Sequence, residues 1–460
     1  MNPLSLARIA QLVNGRLHGV DSDFPIDAVA TDTRKLDAAE VHALLFVALK
    51  GDNFDGHDHV ADAAARGARA ALVARPLDIA LPQIVVGDPQ LALGALATAV
   101  QRARAATVVA ITGSNGKTSV KQLVAAILSR HAPTSFNPGN FNNEIGLPLA
   151  VLDAPEDAVF AVYEMGAGKP GDIAYLTAIA QPRIALVNNI APAHMERMGS
   201  LLGIADTKAA IYDALPADGT AVINADDAFA PFFAERAHGR RLLRFGIEAT
   251  ADVSARDVRL DDAGARFRLL TPAGEADVTL PLPGRHNVRN ALAATAIALA
   301  AGVPLATIVA ALDSAEAVAG RLVRYTLAEG AVLIDDSYNA NPGSLNAAID
   351  TLAAGGGDRW LVLGDMRELG SDGAAMHAQA GVRAKSAGIA RLYALGALSA
   401  AAADAFGDGA RRFDTHEALI EALRADLHAD ARVLVKGSRG SAMDRVVTAL
   451  RTTEGTGHAA

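Results

Sequence analysis

The stretch Gly113-Ser114-Asn115-Gly116-Lys117-Thr118-Ser119 decides how the rest of the chain is interpreted. It follows a short β-branched run at 107–111 and precedes a segment of helical periodicity at 120–130. This order is typical of a phosphate-binding loop, because glycines let backbone N–H groups converge on phosphate oxygens at a helix N-terminus. Lys117 then neutralises phosphate charge and the Thr118 hydroxyl binds Mg²⁺. The sequence therefore predicts binding of a nucleoside triphosphate.

The spacing of the glycines departs from the general phosphate-loop pattern. Only Ser114 and Asn115 separate Gly113 from Gly116, whereas the general pattern has four residues between its glycines. The alternative is an ordinary turn between a strand and a helix. A turn alone requires neither a lysine nor a threonine at these positions, so phosphate binding is the prediction we keep.

Composition predicts a globular chain with several packed cores. The 460 residues are 51% hydrophobic and 20% charged, which leaves little room for disorder. A formal net charge of -9 offers no general attraction to phosphate backbones, so we expect no nucleic-acid partner. The chain has no cysteine, which fits a reducing compartment. We therefore expect a cytoplasmic protein, and we expect it to be a monomer.

The apolar stretches predict buried helices rather than a leader or a membrane span. Residues 1–10 fit an amphipathic helix and lack the basic-then-apolar order of a signal peptide. The alanine-rich stretch 291–301 is shorter than the ~20 residues that a span requires. We expect no membrane insertion, and we predict a buried helix at 291–301.

Alternating strand and helix patterns predict an α/β fold with three domains. Short apolar runs and turns at 1–86 predict a small N-terminal α/β domain. The pattern at 87–318 predicts a central ATPase domain of the P-loop type with a parallel sheet, and a connecting helix at 87–106 begins this domain. Residues 319–460 predict a C-terminal, Rossmann-like, doubly wound domain. The predicted strands are 159–163, 184–187, 221–223, 331–334, 360–363, 392–395 and 433–435.

Motifs spread along the chain resemble those of one enzyme family. Besides the compact loop at 112–119, they are Asn140-Phe141-Asn142-Asn143-Glu144-Ile145-Gly146-Leu147-Pro148, Glu164-Met165-Gly166-Ala167, Asp336-Ser337-Tyr338-Asn339-Ala340-Asn341-Pro342 and Lys436-Gly437-Ser438-Arg439. The set resembles the Mur ligases, which are related to the folylpolyglutamate synthetases. The resemblance spans nearly the whole chain, and the order of the motifs is more specific than any single one.

The resemblance implies an ATP- and Mg²⁺-dependent ligase that makes a peptide bond in peptidoglycan precursor synthesis. The motifs are most similar to those of family members that join UDP-N-acetylmuramoyl-tripeptide to D-alanyl-D-alanine through an acyl phosphate. Positioning and stabilisation of phosphoryl charge would then supply the catalysis. Two alternatives remain. One is another amino-acid ligase of the Mur or folylpolyglutamate type, and the other is a P-loop switch protein, although no Asn-Lys-X-Asp guanine motif is apparent.

The resemblance also implies roles for residues of the central domain. The implied catalytic residues are Lys117, Glu164, His194 and Lys208, and the implied Mg²⁺ ligands are Thr118, Glu164, His194 and, once carboxylated, Lys208. Glu164 and His194 follow predicted strands, where they can meet Mg²⁺ beside the loop. The alternatives are a surface carboxylate, a satisfied loop histidine and a solvated helical lysine. After Lys208, Ala209 and Ala210 replace the glycine and glutamate usual in the family.

Nucleotide and substrate contacts complete the set that the resemblance implies. The nucleotide contacts are Gly113 to Ser119, Asn287, Arg321, Asp336, Tyr338 and Asn339. The substrate contacts are Thr33, Arg34, Lys50, Gly51, Asn142, Asn143, Asn341 and Lys436. Purely structural alternatives are a helix cap for Asn287, an interdomain surface charge for Arg321 and a helix-initiating turn at 339–342. For Asn142 and Asn143 the structural alternative is a packed loop. For Thr33, Arg34, Lys50 and Gly51 it is a pair of polar turns.

Overall fold

The computed structural model describes residues 1–36, 43–192, 195–327 and 330–452. These residues form twenty-two strands and sixteen α-helices. The strands are β1 (Leu4–Ser5), β2 (Arg16–His18), β3 (Pro25–Ile26), β4 (Ala28–Ala30), β5 (Leu44–Val47), β6 (Ala70–Val73), β7 (Gln83–Val85), β8 (Thr107–Thr112), β9 (Thr134–Phe136), β10 (Phe160–Glu164), β11 (Ile184–Val187), β12 (Thr220–Asn224), β13 (Arg241–Gly246), β14 (Val253–Leu260), β15 (Ala265–Thr271), β16 (Gly274–Leu280), β17 (Val323–Thr326), β18 (Val332–Asp336), β19 (Asp358–Gly364), β20 (Arg391–Leu395), β21 (Ala410–Phe413) and β22 (Ala431–Lys436). The α-helices are α1 (Leu6–Leu12), α2 (Val60–Ala65), α3 (Pro89–Ala103), α4 (Lys117–Ser129), α5 (Gly146–Asp153), α6 (Asp172–Ala180), α7 (Met195–Met198), α8 (Leu201–Asp213), α9 (Ala230–Arg236), α10 (Arg285–Ala300), α11 (Leu305–Asp313), α12 (Pro342–Ala354), α13 (Gly373–Ser386), α14 (Ser399–Phe406), α15 (His416–Asp426) and α16 (Asp444–Arg451).

The N-terminal part forms a five-stranded sheet of order β2-β7-β6-β5-β4, beside a short β1-β3 pair. Four of its strands run parallel, and only β2 is antiparallel to its neighbour β7. The predicted connecting helix is present as α3. Asp88 caps it by accepting from the backbone N–H groups of Gln90 and Leu91, and Pro89 takes its first position, where no N–H is needed.

The phosphate loop lies in a nine-stranded sheet of order β16-β15-β14-β13-β12-β11-β8-β10-β9. The seven strands from β14 to β9 are parallel, as expected, and β8 stands between β11 and β10. Buried cores fill both faces, one beneath α4, α10 and α11 and the other beneath α3, α5, α6 and α8. Strand β14 and the antiparallel strands β15 and β16, which extend the sheet beyond it, were not predicted.

The C-terminal part has a six-stranded sheet of order β17-β18-β22-β19-β20-β21. All neighbours are parallel except β17, which runs antiparallel to β18. Helices α12, α13 and α14 pack on one face, and α15 and α16 pack on the other. Helices on both faces confirm the predicted doubly wound architecture.

Helix α10 confirms the predicted buried helix and positions part of the site. Its alanine-rich stretch is fully buried from Ala291 to Ala294. The small side chains let α10 pack against α4 and the central sheet, which brings the N-terminus of α10 beside the phosphate loop. Among the described residues, none of the helices combines the length and the apolar character needed to cross a membrane.

Candidate active site

The phosphate loop joins the end of β8 to the start of α4. Gly116 caps α4 with φ +77°, a conformation that favours glycine. A Cβ atom there would lie 2.7 Å from both Asn188 Nδ2 and Asn290 Oδ1. Glycine is therefore required at this position for its φ angle and for the close approach of the loop to its neighbours.

Three asparagines, Asn188, Asn189 and Asn290, form a hydrogen-bonded group that holds the phosphate loop in place. Asn189 Oδ1 accepts from the N–H of Asn115 at 2.8 Å, and the amides of Asn188 and Asn189 both donate to the Asn115 carbonyl at 3.0 Å. Asn188 also donates to Asn290 Oδ1 at 3.3 Å. Sequence reasoning missed Asn188, Asn189 and Asn290. Two consecutive polar residues directly after the buried strand β11 were the available signal.

Lys117 is folded back into its own loop. Its Nζ donates to the Gly113 carbonyl at 2.8 Å. Burial lowers the pKa of Lys117, while the Glu164 carboxylate raises it and the Arg321 guanidinium lowers it. The ammonium thus lies where phosphate oxygens are expected to bind, between a carboxylate and a second cation.

Glu164 is the last residue of β10, whose neighbour β8 leads into the loop. Its side chain is only 4% exposed, so the surface-carboxylate alternative is wrong. Oε1 accepts from Asn142 Nδ2 at 2.8 Å. Oε2 is buried without a hydrogen-bond partner among the described residues, and it lies 3.6 Å from Lys121 Nζ. A buried carboxylate oxygen that accepts no hydrogen bond is suited to bind a cation.

The donors around the loop fit Mg²⁺ held jointly with substrate phosphates. Such sites use one or two carboxylates and leave the remaining positions to phosphate and water. Glu164 Oε2 and the Thr118 hydroxyl are of this type, and both residues line the same cavity. His194, the other expected strand-end ligand, lies outside the described residues. The described ranges contain no group of three or more His, Asp or Glu residues that could hold a metal ion, at the loop or away from it.

Lys208 lies in α8 and is only 2% exposed. The alternative of a solvated helical lysine is therefore wrong. The pKa of Lys208 is lowered to about 7, mainly by burial and also by the positive charge of Lys117, while Asp172 opposes the shift. A lysine of this kind keeps much of its amine neutral near pH 7, and the neutral amine is the form that reacts with CO₂.

Asn287 lies in the first turn of α10. The cap of that helix is Gly284, so the capping alternative for Asn287 is wrong. Asn287 Nδ2 donates to the Pro283 carbonyl at 2.8 Å, and its Oδ1 accepts from Asn290 at 3.2 Å. Asn287 lines a cavity of about 350 Å³. The same cavity is lined by Asn115, Gly116, Ser119, Arg321, Asp336 and Lys436.

The C-terminal sheet presents charged residues to this cavity from the ends of two neighbouring strands. Lys436 ends β22 and Asp336 ends β18, and the Lys436 ammonium lies 2.5 Å from Asp336 Oδ2. Arg321 is partly buried, and its guanidinium lies 4.5 Å over the ring of Tyr338. Arg321 therefore belongs to the cavity wall and is not a surface charge. Asn339 is exposed, and its carbonyl accepts from Lys436 Nζ at 3.0 Å.

A second cavity, of about 460 Å³, brings most of the predicted site together. It is lined by Ser114 to Thr118, Asn142, Asn143, Glu164, Arg321, Tyr338, Asn339 and Asn341. Asn341 also caps α12, and Asn143 Oδ1 accepts from Gly146 N at 2.8 Å at the start of α5. The expected turn and packed loop are thus present, and both segments face the cavity.

The four first-domain residues that were predicted to contact the substrate lie outside both cavities. Thr33 is buried and Arg34 is exposed, in a short turn after β4. Lys50 is exposed and Gly51 is partly buried, shortly after β5, which runs parallel to β4. The two segments therefore follow the same edge of the sheet. None of the four residues lines either cavity.

The fold and the site together define a class of protein, an α/β nucleotide-binding protein with a compact phosphate loop. Residues 111–298 match the Mur ligase middle domain, and residues 320–439 match the Mur ligase, glutamate ligase domain. The chain belongs to the Mur ligase family.

Three relatives show which members this chain is similar to. It is 46% identical to the UDP-N-acetylmuramoyl-tripeptide–D-alanyl-D-alanine ligase of Escherichia coli (strain K12), over 98% of this chain and 99% of that protein. A crystal structure of MurF from Acinetobacter baumannii matches with a TM-score of 0.91 and 35% identity, over 98% and 99% of the two chains. MurF from Thermotoga maritima in complex with ADP matches with a TM-score of 0.82 and 26% identity, over 93% and 97%.

Proposed function

We propose that this protein is the ATP-dependent ligase that joins UDP-N-acetylmuramoyl-tripeptide to D-alanyl-D-alanine in peptidoglycan precursor synthesis. The observation that carries the proposal is the cavity of about 460 Å³, in which the phosphate loop faces Asn142 and the third-domain segment 338–341. A phosphoryl donor, a carboxylate and an amine must meet in one place for this reaction. Similarity to the Escherichia coli ligase over 98% of the chain supports the same reaction.

The chemistry needs positioning more than a protein nucleophile. A carboxylate is a poor electrophile because its leaving group would be oxide, so ATP first transfers its γ-phosphoryl group to the terminal carboxylate of the tripeptide. The amine of D-alanyl-D-alanine attacks the resulting acyl phosphate, and the tetrahedral oxyanion collapses with loss of phosphate. Loop N–H groups, Lys117 and Arg321 hold the phosphates in line and stabilise the developing charge.

The proposed Mg²⁺ ligands are Thr118, Glu164, His194 and Lys208 once carboxylated. Bound there, Mg²⁺ neutralises charge on the transferred phosphoryl group. Glu164 Oε2 favours such a site, because it is buried and, although it lies 3.6 Å from the Lys121 ammonium, it accepts no hydrogen bond among the described residues.

The proposal assigns the remaining residues by position. Asn287, Asp336, Tyr338 and Asn339 serve the nucleotide, and Asn142, Asn143, Asn341 and Lys436 serve the peptide substrates. Thr33, Arg34, Lys50 and Gly51 take the UDP group, at the edge of the sheet where β4 and β5 end. The domains are proposed as 1–86, 87–318 and 319–460. The proposed compartment is the cytoplasm, which supplies the ATP.

The test is ADP release from ATP with UDP-N-acetylmuramoyl-tripeptide and a set of amino acceptors. We expect release only when both the tripeptide and D-alanyl-D-alanine are present, with the UDP-pentapeptide as product. Equal or faster turnover with a free amino acid would support another Mur or folylpolyglutamate type of ligase. GTP turnover without any acceptor would support a switch protein instead.

A further inference from the structure

A fully buried lysine lies beneath the phosphate loop. Lys121 is four residues after Lys117, one turn along α4, so both lysines are on the face of the helix that meets Glu164. The side chain of Lys121 is 0% exposed, which prevents direct contact with a ligand in this arrangement. Whatever this cation does for the reaction, it does through its neighbours.

The neighbours of Lys121 come from two other parts of the site. Its Nζ donates to the carbonyls of Asn137 and Gly139 at 2.8 and 3.2 Å, and it lies 3.6 Å from Glu164 Oε2. A buried ammonium is costly unless it is paired and hydrogen-bonded. These contacts therefore hold segment 137–139 and the Glu164 side chain in fixed positions relative to α4.

Segment 137–142 is tied to Glu164 as well. Asn137 is fully buried, and its side chain donates to the Phe141 and Glu164 carbonyls and accepts from the Glu164 N–H, all within 2.9 Å. Asn142 Nδ2 then reaches Glu164 Oε1. Segment 137–142 and Glu164 thus form one hydrogen-bonded unit, which we call the Asn137 unit. Lys121 attaches this unit to the helix that begins at the phosphate loop.

We propose that Lys121 is a positioning residue that couples the nucleotide loop to the muramoyl-peptide side of the cavity. An ordering of α4 by nucleotide is passed through Lys121 to the Asn137 unit, which carries Asn142 and the Glu164 carboxylate. The inference rests on the proposed function, because Asn142 is assigned there to the muramoyl peptide. Lys117 serves the phosphates directly, whereas Lys121 aligns the acceptor with them.

The test uses Lys121→Gln, which keeps a hydrogen-bond donor but removes the charge. We expect the KM for UDP-N-acetylmuramoyl-tripeptide to rise on the order of 10- to 100-fold, since small misplacements near reacting groups have effects of this size. The Kd for ADP measured by calorimetry without metal stays within about twofold, because the loop itself is unchanged. Lys385→Gln, on the exposed surface of α13, is the matched lysine control.

A core truncation separates positioning from loss of stability. Leu419→Ala in α15 removes a fully buried side chain far from the Asn137 unit. If Lys121→Gln and Leu419→Ala lower the active fraction alike and neither changes the KM for the tripeptide, the role of Lys121 is only structural and the inference is overturned.

A measurement on the unaltered protein does not depend on the folding of any variant. Amide hydrogen exchange should slow at residues 139–143 when ADP alone is added, because nucleotide on the loop steadies Lys121 and the Asn137 unit. Unchanged exchange at 139–143 with ADP bound would overturn the inference. Loss of D-alanyl-D-alanine dependence in the unaltered protein would instead overturn the proposed function, so the two failures are distinguishable.

Discussion

Asn341 Nδ2 lies 2.7 Å from Asn115 Oδ1, so the N-terminus of α12 in the third domain is hydrogen-bonded to the phosphate loop of the central domain. The other end of the same amide caps α12, because Asn341 Oδ1 accepts from the N–H of Ser344 at 2.9 Å. One side chain therefore links the position of the third domain to the nucleotide loop.

Two variants of Asn341 separate its interdomain bond from its cap. Serine still caps a helix but does not reach Asn115, so Asn341→Ser should keep the free energy of unfolding within about 0.5 kcal/mol and lower kcat/KM on the order of tenfold. Asn341→Ala should lose about 1 kcal/mol of stability as well. Urea unfolding and steady-state kinetics measure both effects. A Ser variant with wild-type kinetics would show that the interdomain bond has no role in the reaction.

Lys117→Ala should abolish ligation while the fold stays intact. Among the described residues, the Lys117 ammonium donates to the loop carbonyls of Gly113 and Ser114, and Lys117 belongs to neither apolar core of the central sheet, so its removal should leave that sheet unchanged. The loss of phosphate stabilisation should lower kcat at least on the order of 100-fold. Circular dichroism and melting temperature check the fold, and ADP release checks the activity. Turnover at the wild-type rate would contradict the assignment of the loop.

Glu164→Gln should affect stability and activity together. The buried ammonium of Lys121 would face a neutral amide, and a buried charge that loses its partner costs roughly 3 kcal/mol. Adding Lys121→Met to this variant should restore part of the stability in urea unfolding but none of the activity, because the carboxylate for Mg²⁺ is still missing. Full activity of Glu164→Gln at low Mg²⁺ concentration would exclude a metal role for Glu164.

Lys208 should make the enzyme sensitive to CO₂ if it is carboxylated. Buffers freed of CO₂ should lower kcat severalfold, and added bicarbonate should restore it, because the carbamate forms reversibly from the buried amine. Lys208→Gln should be inactive at both CO₂ levels and should not respond to bicarbonate. Activity of the unaltered protein that is independent of CO₂, together with an unmodified mass for the peptide containing Lys208, would leave this lysine without the proposed role.

His286 should weaken the fold in acid. Burial lowers the pKa of His286 to about 4, below its usual 6.5. Between pH 6.5 and 4 the unfolded chain binds a proton there that the folded chain does not, so stability is complete above pH 6.5 and falls as the pH drops. The 2.5-unit difference between the two pKa values sets a ceiling of about 3 kcal/mol on the effect, which should be absent in His286→Gln. Urea midpoints at pH 7 and pH 4.5 for both proteins measure it, and equal losses would exclude His286 as the cause.

The parts of the fold that sequence could predict are those coded locally. The run at 107–111, the glycine loop and the helical periodicity after it lie within one stretch of chain, and they appear as β8, the loop and α4. Strands β14 to β16 were missed because they are half-exposed and rich in charged residues, so they lack the continuous apolar pattern of the parallel strands.

The parts of the site that sequence could not predict depend on contacts between distant segments. The sequence does not distinguish Lys121 from a solvated lysine on a helix, because its partners Asn137, Gly139 and Glu164 come from other segments of the chain. Asn341 reads either as a helix cap or as a site residue, and the structure shows that it contacts the loop while capping α12. Local patterns indicate residue types, whereas the sheet topology decides which of them meet.

The most direct measurement follows the oxygen of the activated carboxylate. The terminal carboxylate of UDP-N-acetylmuramoyl-tripeptide is labelled with ¹⁸O, and the phosphate released during ligation with D-alanyl-D-alanine is analysed by mass spectrometry. An acyl phosphate transfers one labelled oxygen to each phosphate formed, so we expect singly labelled phosphate in equal amount to the UDP-pentapeptide. Unlabelled phosphate, or ATP hydrolysis without any pentapeptide, would contradict a ligase that activates this carboxylate.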